Sequence, residues 1–440
     1  MTSTVLSGCQ VKLGQLINIS TGKLDANAAS ESGQYPFFTC AERPLKIDSY
    51  EFDEDAVLLA GNGSFGVSQY SGKFNAYQRT YVITPIIGPT RYYYWLVKAK
   101  IPEITASNRG STVKYIRKGD IENVEFPLPP LAEQVRIAQK LDELLAQVDT
   151  LKARIDGIPA LLKRFRKSVL AAAASGRLTE EWRSANFSEG AQESSITGCS
   201  EDFAWPVVRL GEVARDFSYG SSSKSQPIGD IPVLRMGNIQ GGRLDWDDLV
   251  FSSDKEEIKR YSLQAGDVLF NRTNSPELVG KTAIYKGEQP AIYAGYLIRI
   301  SCGETLAPEF LNYCLNSPQG RDYCWQVKTD GVSQSNINAK KLADFRFGLP
   351  SVEEQKEIVR RVEQLFAFAD QLEAKVTSAK SRIDHLTQSI LAKAFRGELV
   401  PQDPNDEPAS VLLERINAQR AAAPKAKRGR NASAVQKSVQ

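Results

Sequence analysis

One stretch of the sequence occurs twice, with an offset of 221 residues (Glu133 to Glu354) and no gap. The first copy begins with residues 128–134, LPPLAEQ, and continues to Gly176. The second begins with residues 349–355, LPSVEEQ, and continues to Gly397. An internal repeat of this length constrains the whole fold, because the chain must contain two copies of one structural element.

Both copies carry apolar residues whose spacing alternates between four and three. A sustained spacing of 3.5 residues is typical of a coiled-coil seam rather than of an ordinary amphipathic helix. We therefore predict two long helices. Their seam residues include, in the first copy, Ile137, Leu141, Leu144, Leu151 and Leu162, and in the second copy, Ile358, Val362, Leu365, Leu372, Ile383 and Leu386.

The ends of the two helices are also marked. Ser351 and Glu354 have the spacing of a capping box, and Gly176 and Gly397 stand where a helix end favours a positive φ. Pro159 occurs in the first copy alone and predicts a kink or a short break there. About 44 residues at ~1.5 Å each give a helix of roughly 65 Å, close to two turns of DNA duplex at ~34 Å per turn.

Each predicted helix has one narrow apolar stripe and needs a partner. Two matched copies in one chain, each following a globular block, favour intramolecular pairing. Oligomerisation between chains is the alternative that the pattern leaves open.

Composition bounds the class of protein. A chain of 440 residues with 42% hydrophobic and 24% charged residues predicts two or three domains with substantial cores. We expect no membrane span and no signal peptide, since no run of eighteen apolar residues occurs and the N-terminus lacks a basic region followed by an apolar one. Six cysteines without a Cys-x-x-Cys pair suggest reduced thiols and a cytoplasmic location. A net charge of +3 is weak evidence for nucleic-acid binding.

A globular block precedes each long helix. Residues 11–16, VKLGQL, resemble residues 208–213, VRLGEV, at an offset of 197, so the second block is longer and the blocks have diverged. Both contain short β-type runs punctuated by glycine and proline, with short helices expected near 91–98 and 308–315. The fold class is therefore α+β, a pseudo-two-fold repeat of two compact domains and two helices. The predicted parts are a first block (1–126), a first helical region (127–178), a linker (179–205), a second block (206–347), a second helical region (348–399) and a tail (400–440) with a helix near 408–422 and a basic, disordered run at 425–430.

Enzymatic chemistry finds little support. His385 is the single histidine and falls on a coiled-coil helix, and no Cys/His cluster has zinc spacing. The sequence around Gly280-Lys281-Thr282 has Ser275 where an ATP-binding loop requires glycine. Residues 61–66, GNGSFG, match a dinucleotide fingerprint, but strand-like and turn-like sequence follows instead of a helix. We expect no catalytic, metal or cofactor site in this chain.

Polar, glycine-bearing loops are better candidates for function. Arginine and asparagine pair bidentately with guanine and adenine in the major groove, and lysine and arginine neutralise phosphates. Loops at equivalent distances before each helix suggest a shared surface, although any one of these residues could be an ordinary exposed loop residue. The candidate DNA contacts are, in the first block, Asn62, Ser64, Lys73, Arg79, Asn108 and Arg109, and in the second, Arg235, Asn238, Arg272, Asn274, Lys281, Gln334 and Asn336. The run at Tyr92–Trp95 is expected to lie in the core rather than to stack on bases.

The repeated Leu-Pro…Glu-Gln helix, with a variable block ahead of each copy, resembles the specificity subunit of type I restriction-modification systems over nearly the whole chain. The resemblance implies that the blocks are target recognition domains, each recognising one half of a bipartite, asymmetric DNA sequence. It implies that the helices form an antiparallel coiled coil that sets the gap. It also implies a non-catalytic chain that binds double-stranded DNA, two modification subunits and two restriction subunits. S-adenosylmethionine, ATP and magnesium would be used by those partners.

The alternative is a coiled-coil scaffold that carries two ligand-binding domains and recognises no DNA sequence. An enzyme ranks third, because the residues that would carry catalysis are missing from the sequence.

Overall fold

The computed structural model describes residues 9–186 and 204–422. The first half of the chain forms strands β1–β8 and helices α1–α4. The strands are Cys9–Lys12, Ile17–Thr21, Tyr35–Phe38, Leu45–Ile47, Phe52–Ala60, Val67–Ala76, Thr80–Pro85 and Glu125–Leu128. The helices are Thr90–Ile104, Lys118–Glu122, Leu131–Ala174 and Glu180–Asn186.

The second half forms fourteen strands and seven helices among the described residues. Strands β9–β22 are Val207–Arg209, Ala214–Tyr219, Ile231–Leu234, Ile239–Gln240, Arg243–Leu244, Val250–Ser252, Val268–Asn271, Thr273–Asn274, Thr282–Ile284, Ile292–Tyr293, Leu297–Cys302, Thr329–Asp330, Ser335–Asn336 and Arg346–Gly348. Helices α5–α11 are Leu210–Val213, Lys255–Tyr261, Pro308–Asn316, Pro318–Val327, Ala339–Ala343, Val352–Phe395 and Ala409–Ala422.

The chain divides into two compact units. The first combines residues 1–155 with 378–440, and the second consists of residues 156–377. Each long helix, α3 and α10, is continuous over 44 residues and contributes to both units. The predicted α+β class with two long helices is confirmed.

The first unit contains a six-stranded sheet in the order β2-β7-β5-β6-β3-β4, in which β3 and β6 are parallel and the other neighbours antiparallel. Helix α1 covers one face of this sheet. Its residues Tyr92, Tyr93 and Trp95 are buried, as the sequence predicted for this aromatic run. The sheet and α1 share one core with the first half of α3 and with α11.

The second unit contains an antiparallel sheet in the order β10-β19-β15-β17 and a smaller sheet, β14-β11-β18. Helix α7 packs on the first of these sheets, and both short helices expected near 91–98 and 308–315 are present as α1 and α7. In each unit the strand that leads into the long helix pairs antiparallel with the first strand of the block, β1 with β8 and β9 with β22.

The two long helices pair antiparallel. In the second unit, Arg166 of α3 bonds to Asp370 of α10 at 2.6 Å, and Arg361 donates to the carbonyl of Leu178 at 2.8 Å. In the first unit, Lys152 of α3 lies 3.4 Å from Asp384 of α10. The expected intramolecular coiled-coil pair is therefore confirmed.

The predicted seam is largely buried. Ile137, Leu141, Leu162, Ile358, Val362 and Ile383 are buried, and Leu144, Leu365 and Leu372 are partly buried. Leu151 and Leu386 depart from the prediction, with 47% of each exposed. In the first unit Leu145 is more buried than Leu144, because α3 packs there against the globular block as well as against α10. A helix with two partners buries a broader stripe than a 3.5-residue seam.

Several boundary expectations change. Helix α3 continues through Pro159, so of the two expected disturbances the short break is wrong and the kink stays a prediction. The proline removes one backbone hydrogen bond within a helix whose partner still packs along it. Helix α4, Glu180–Asn186, lies in the segment expected to be a linker. Gly176 and Gly397 have φ values of 84° and 75°, as predicted. The tail helix α11 is present, and the basic run at 425–430 lies outside the described residues.

The Glu-Gln pair in the first turn of α10, Glu354 and Gln355, is buried and hydrogen-bonds to two different parts of the second unit. Glu354 accepts hydrogen bonds from Thr179 Oγ1 (2.7 Å), Arg183 Nε (3.0 Å) and Trp205 Nε1 (2.9 Å). The expected capping box is thus only half present: the Ser351 hydroxyl accepts from the Glu354 backbone N–H at 3.3 Å, while the glutamate side chain points to the segment that follows α3.

Gln355 connects the first turn of α10 to the second block. Its amide oxygen accepts the Ala307 N–H at 2.7 Å, and its amide nitrogen donates to the carbonyls of Thr305 (2.8 Å) and Pro350 (2.9 Å). Ala307 immediately precedes α7, so one side chain fixes the position of α7 against α10.

The equivalent pair in the first unit, Glu133 and Gln134, is buried but less satisfied. Among the described residues, neither Glu133 Oε1 nor Gln134 Oε1 has a hydrogen-bond partner. Burial raises the pKa of Glu133 above its usual value of 4.5, although Arg136 opposes the shift. The matched glutamates therefore stand in opposite environments.

We predict that Glu354→Gln and Glu133→Gln have opposite effects. Glu354→Gln should lower the free energy of unfolding by about 1.5–3 kcal/mol, because three donors lose their charged acceptor. Glu133→Gln should be stabilising at neutral pH. Because the pKa of the Glu133 carboxyl is raised in the folded state, the wild-type protein loses stability as the pH rises above 4.5. The extra stability of Glu133→Gln over the wild type should therefore vanish below that pH. Urea denaturation of both variants at several pH values tests this. A loss of stability in Glu133→Gln equal to that in Glu354→Gln would contradict it.

Candidate nucleic-acid interface

Two loops of the first block meet at one edge. The loop between β5 and β6 carries Asn62 and Ser64, and the segment after α1 carries Asn108 and Arg109. Hydrogen bonds join them: the Gly63 N–H donates to the carbonyl of Lys114 at 3.0 Å, and the Ile116 N–H donates to that of Gly61 at 2.9 Å. The structure therefore brings four of the six predicted residues of this block to one surface.

The loop at residues 61–66 joins two antiparallel strands and is not followed by a helix, which removes the basis for a dinucleotide site. Gly63 has a φ of 72°, and Phe65 has a φ of 53°, the one positive φ at a non-glycine residue in the described part of the chain. Such a conformation is costly for a bulky side chain and is found most often where function requires a particular loop shape.

The second block repeats this arrangement. Strand β16 follows Arg272 and pairs with β21, which places Thr273 opposite Asn336 and Asn274 opposite Ser335. The Ile337 N–H donates to the carbonyl of Arg272 at 2.9 Å, as the Ile116 N–H does to that of Gly61. We call the two surfaces the first and second loop edges: residues 61–66 with 108–116, and residues 272–276 with 329–337.

The hairpin between β20 and β21 is the most exposed part of the second loop edge. Val332 at its tip is fully exposed, and Gln334 is exposed. At the same place in the first loop edge Val113 is exposed. Four predicted residues of the second block, Arg272, Asn274, Gln334 and Asn336, therefore lie on one surface.

Two predicted cations of the first block are placed differently from each other. Lys73 pairs with Asp53 across the β5–β6 ladder, eight residues along β5 from Gly61, and its Nζ lies 4.6 Å from the centre of the Tyr50 ring. It is therefore remote from the first loop edge. Arg79 adjoins the edge, because its carbonyl accepts the Gly61 N–H at 2.7 Å. Arg109 forms an ion pair with Asp120 at 2.9 Å.

Asn238 is a correction to the predicted site. It is 3% exposed, its amide nitrogen donates to the carbonyls of Asp245 and Asp248, both at 3.0 Å, and its oxygen accepts the Arg235 N–H at 2.8 Å. Both donors of its amide are used within a turn, and its burial keeps the side chain from reaching a base. Arg235 pairs with Asp248 at 3.0 Å.

Lys281 lies in a cleft of about 940 Å³ within the second unit. Lys163 and Lys167 of α3 line the same cleft, and Lys281 Nζ is 3.4 Å from Gln240 Oε1. Burial, with a smaller contribution from Arg321, lowers the pKa of Lys281. Lys281 therefore belongs to the cleft and not to the second loop edge.

Tyr219 and Tyr296 were not predicted, yet both are exposed beside Arg272. The three residues are far apart in sequence and meet only through the pairing of β10, β15 and β19, so no local signal identifies them. Within residues 9–186 and 204–422 no group of histidine, cysteine, aspartate and glutamate could hold a metal ion, and no helix there is long and apolar enough to cross a membrane.

Comparison with known proteins agrees with this geometry. The family model for the type I restriction modification DNA specificity domain matches residues 9–160 and 204–379, most of the chain. The chain belongs to the type I restriction-modification specificity-subunit family. Its role is DNA sequence recognition, and the subunit is a non-catalytic component of the restriction-modification complex.

Curated relatives match most of the length of this specificity subunit. The type I restriction enzyme EcoDI specificity subunit of Escherichia coli is 42% identical over 432 residues, covering 94% of this chain and 95% of the relative. The EcoKI specificity subunit of E. coli strain K12 is 39% identical over 333 residues, covering 73% of this chain and 69% of the relative.

Solved structures share the fold. A chain from a structural study of complex assembly and conformational transition of the type I R-M system has a TM-score of 0.62 at 17% identity, covering 90% of this chain and all of that one. The HsdS subunit from Thermoanaerobacter tengcongensis has a TM-score of 0.56 at 19% identity, covering 90% of this chain and 98% of the other.

We predict that two amide side chains of this specificity subunit behave in opposite ways. Asn238→Ala should lower the free energy of unfolding by about 1–3 kcal/mol, since it leaves buried groups unpaired, and should not alter base preference. Gln334→Ala should leave stability within about 0.5 kcal/mol and alter the preferred sequence at one or two positions. Thermal unfolding and selection from random duplexes measure the two effects. An altered preference in Asn238→Ala alone would contradict the assignment of the site.

Proposed function

We propose that each loop edge recognises one half of a bipartite, asymmetric DNA target. The observation that carries the proposal is the repetition of one hydrogen-bonded frame with different side chains. The frame is the bond from Ile116 to Gly61 in the first block and from Ile337 to Arg272 in the second. Equivalent backbones that present different side chains would recognise different bases in the same manner.

The long helices are proposed to set the distance between the two half-sites. Each is a single helix over 44 residues, begins directly after the last strand of its block, and pairs with the other in both units. Paired helices are stiff on the scale of a few base pairs, so a fixed helix length would translate into a fixed gap.

The chemistry is proposed to belong to partner subunits. We propose that this chain assembles with two modification subunits and two restriction subunits, and its membership of the specificity-subunit family supports this proposal. The modification subunits would use S-adenosylmethionine to methylate adenine, and the restriction subunits would use ATP and magnesium to cut DNA. An adenine methyltransferase must take its base out of the stack, so the specificity subunit would hold the flanking duplex while a partner binds the extruded base.

We propose that the protein acts in the cytoplasm. Cys9, Cys40, Cys302, Cys314 and Cys324 are free thiols, which suits a reducing compartment.

Replacing residues 11–126 by the corresponding block of a relative with another target should change one half of the recognised sequence and preserve the other half and the gap. The reason is that each loop edge is built within its own unit. Selection from random duplexes by the full chain with its partner subunits measures the outcome. The reciprocal replacement of residues 206–347 is the matched control. A change in both halves after either replacement would contradict independent recognition.

Inserting seven residues after Ala153 together with seven after Arg382 should lengthen both helices by one heptad while the seam stays in phase. Lys152 and Asp384 pair next to these positions. About 10 Å of added helix corresponds to roughly three base pairs, so the original target should no longer be bound specifically and a longer gap should be preferred. Seven residues inserted after Asn186, outside the long helices, should leave the gap unchanged. Retention of the original gap by the doubly inserted chain would show that the helices do not set it.

A further inference from the structure

The positive charge of Arg272 has only weak hydrogen-bond acceptors within the part of the chain that the structure describes. Within the described residues the acceptors of its guanidinium are a backbone carbonyl and an amide oxygen rather than a carboxylate, and Nε is buried without a hydrogen-bond partner. Nη1 donates to the carbonyl of Gly295 at 3.4 Å and Nη2 to Asn336 Oδ1 at 3.5 Å, both at the long limit for such bonds. Burying a cation that has only weak acceptors costs free energy, and a further acceptor that reached the guanidinium would lower that cost.

The position of this guanidinium is nevertheless fixed. It lies over the Tyr219 ring, 4.7 Å from the ring centre, and the Tyr219 hydroxyl accepts the Ala339 N–H at 3.0 Å. The Asn336 amide nitrogen donates to Thr273 Oγ1 at 2.8 Å, which turns its oxygen towards Arg272. The aromatic face and the amide thus hold the planar fork in one orientation without neutralising it.

Arg272 also marks a difference between the two loop edges. Its carbonyl accepts the Ile337 N–H, and the residue with the equivalent role in the first block is Gly61, which has no side chain. The second edge therefore presents a cationic fork at a place where the first presents bare backbone.

We propose that Arg272 recognises guanine through the O6 and N7 acceptors, with Tyr219 as the residue that positions its guanidinium. The inference rests on the proposed function and adds the base to it: the second half-site contains a G·C pair at this position. Arginine gives bidentate contacts to these two acceptors, and stacking on an aromatic ring fixes the plane in which the fork can approach them. A phosphate oxygen offers the same acceptor chemistry, so the test must separate the two.

The test uses the full chain assembled with its partner subunits. Selection from random duplexes first gives the preferred target of the wild type. Binding is then measured on duplexes with each pair of the second half-site replaced in turn, at several salt concentrations. The variants are Arg272→Lys, Tyr219→Leu and Tyr219→Phe. Arg215→Lys is the matched control in the same block, because Arg215 pairs with Glu304 at 3.1 Å and is not a candidate DNA contact.

Arg272→Lys should lower discrimination at one G·C pair roughly tenfold or more, while the preference at every other position and the salt dependence are retained. Tyr219→Leu should lower it roughly three- to tenfold at the same pair, and Tyr219→Phe less, since the ring is kept. Arg215→Lys should change none of these preferences.

Three results would overturn the inference. One is a uniform loss of affinity on all duplexes with a smaller salt dependence, which would make Arg272 a phosphate contact. The second is a preferred second half-site that contains no G·C pair. The third is a second half-site at which the Arg272 and Tyr219 variants discriminate between base pairs as well as the wild type does. Failure of the proposed function itself would look different: the wild-type complex would then select no bipartite sequence, and the inference would fall with it. Retained preference at the first half-site shows that a variant is folded.

Discussion

The start of helix α10 depends on a buried Glu-Gln pair. In α10, Glu354 accepts three hydrogen bonds from residues that follow α3, so the beginning of one long helix is fixed to the end of the other. Gln355 fixes the same turn to the residue that precedes α7 of the second block. Two adjacent side chains thus define how the block sits on the helix pair, and burial makes these bonds costly to break.

The same pair is weaker in the first unit for a reason visible in the sequence. Helix α1 is preceded by Pro89, which has no N–H to donate, whereas α7 is preceded by Ala307, whose N–H bonds to Gln355. Gln134 Oε1 accordingly has no partner among the described residues, and it lies close to Gly88, where an added Cβ would be only 2.8 Å away. The repeat therefore conserves a backbone position and a residue pair, but not the bonds of that pair.

Features set by neighbouring residues could be predicted from the sequence, whereas features set by packing between distant segments could not. The long helices, their intramolecular pairing and the glycines that end them follow from periodicity and local backbone preference, which the two copies at an offset of 221 residues show twice. The antiparallel direction of the pairing is implied by the family resemblance instead. The exposure of Leu151 and Leu386 and the burial of Leu145 depend on what packs beside the helix, and no heptad pattern contains that information.

The candidate interface shows the same division. Glycine-bearing polar loops could be located, and the structure joins them into two edges. Asn238 immediately precedes a short strand and Asn336 lies within one, yet the first is a buried turn residue and the second faces Arg272. The contact between Tyr219 and Arg272 depends on strand order, which local sequence does not reveal.

The central claim is that this chain alone directs modification to a two-part DNA sequence. The most direct measurement is genome-wide mapping of methylated adenine in cells with and without its gene, with the partner modification gene present in both. The account predicts a new two-part motif with one fixed gap, found only when the gene is present, with different bases in its two halves. Methylation at a continuous motif, or the same two-part motif in cells without the gene, would contradict it.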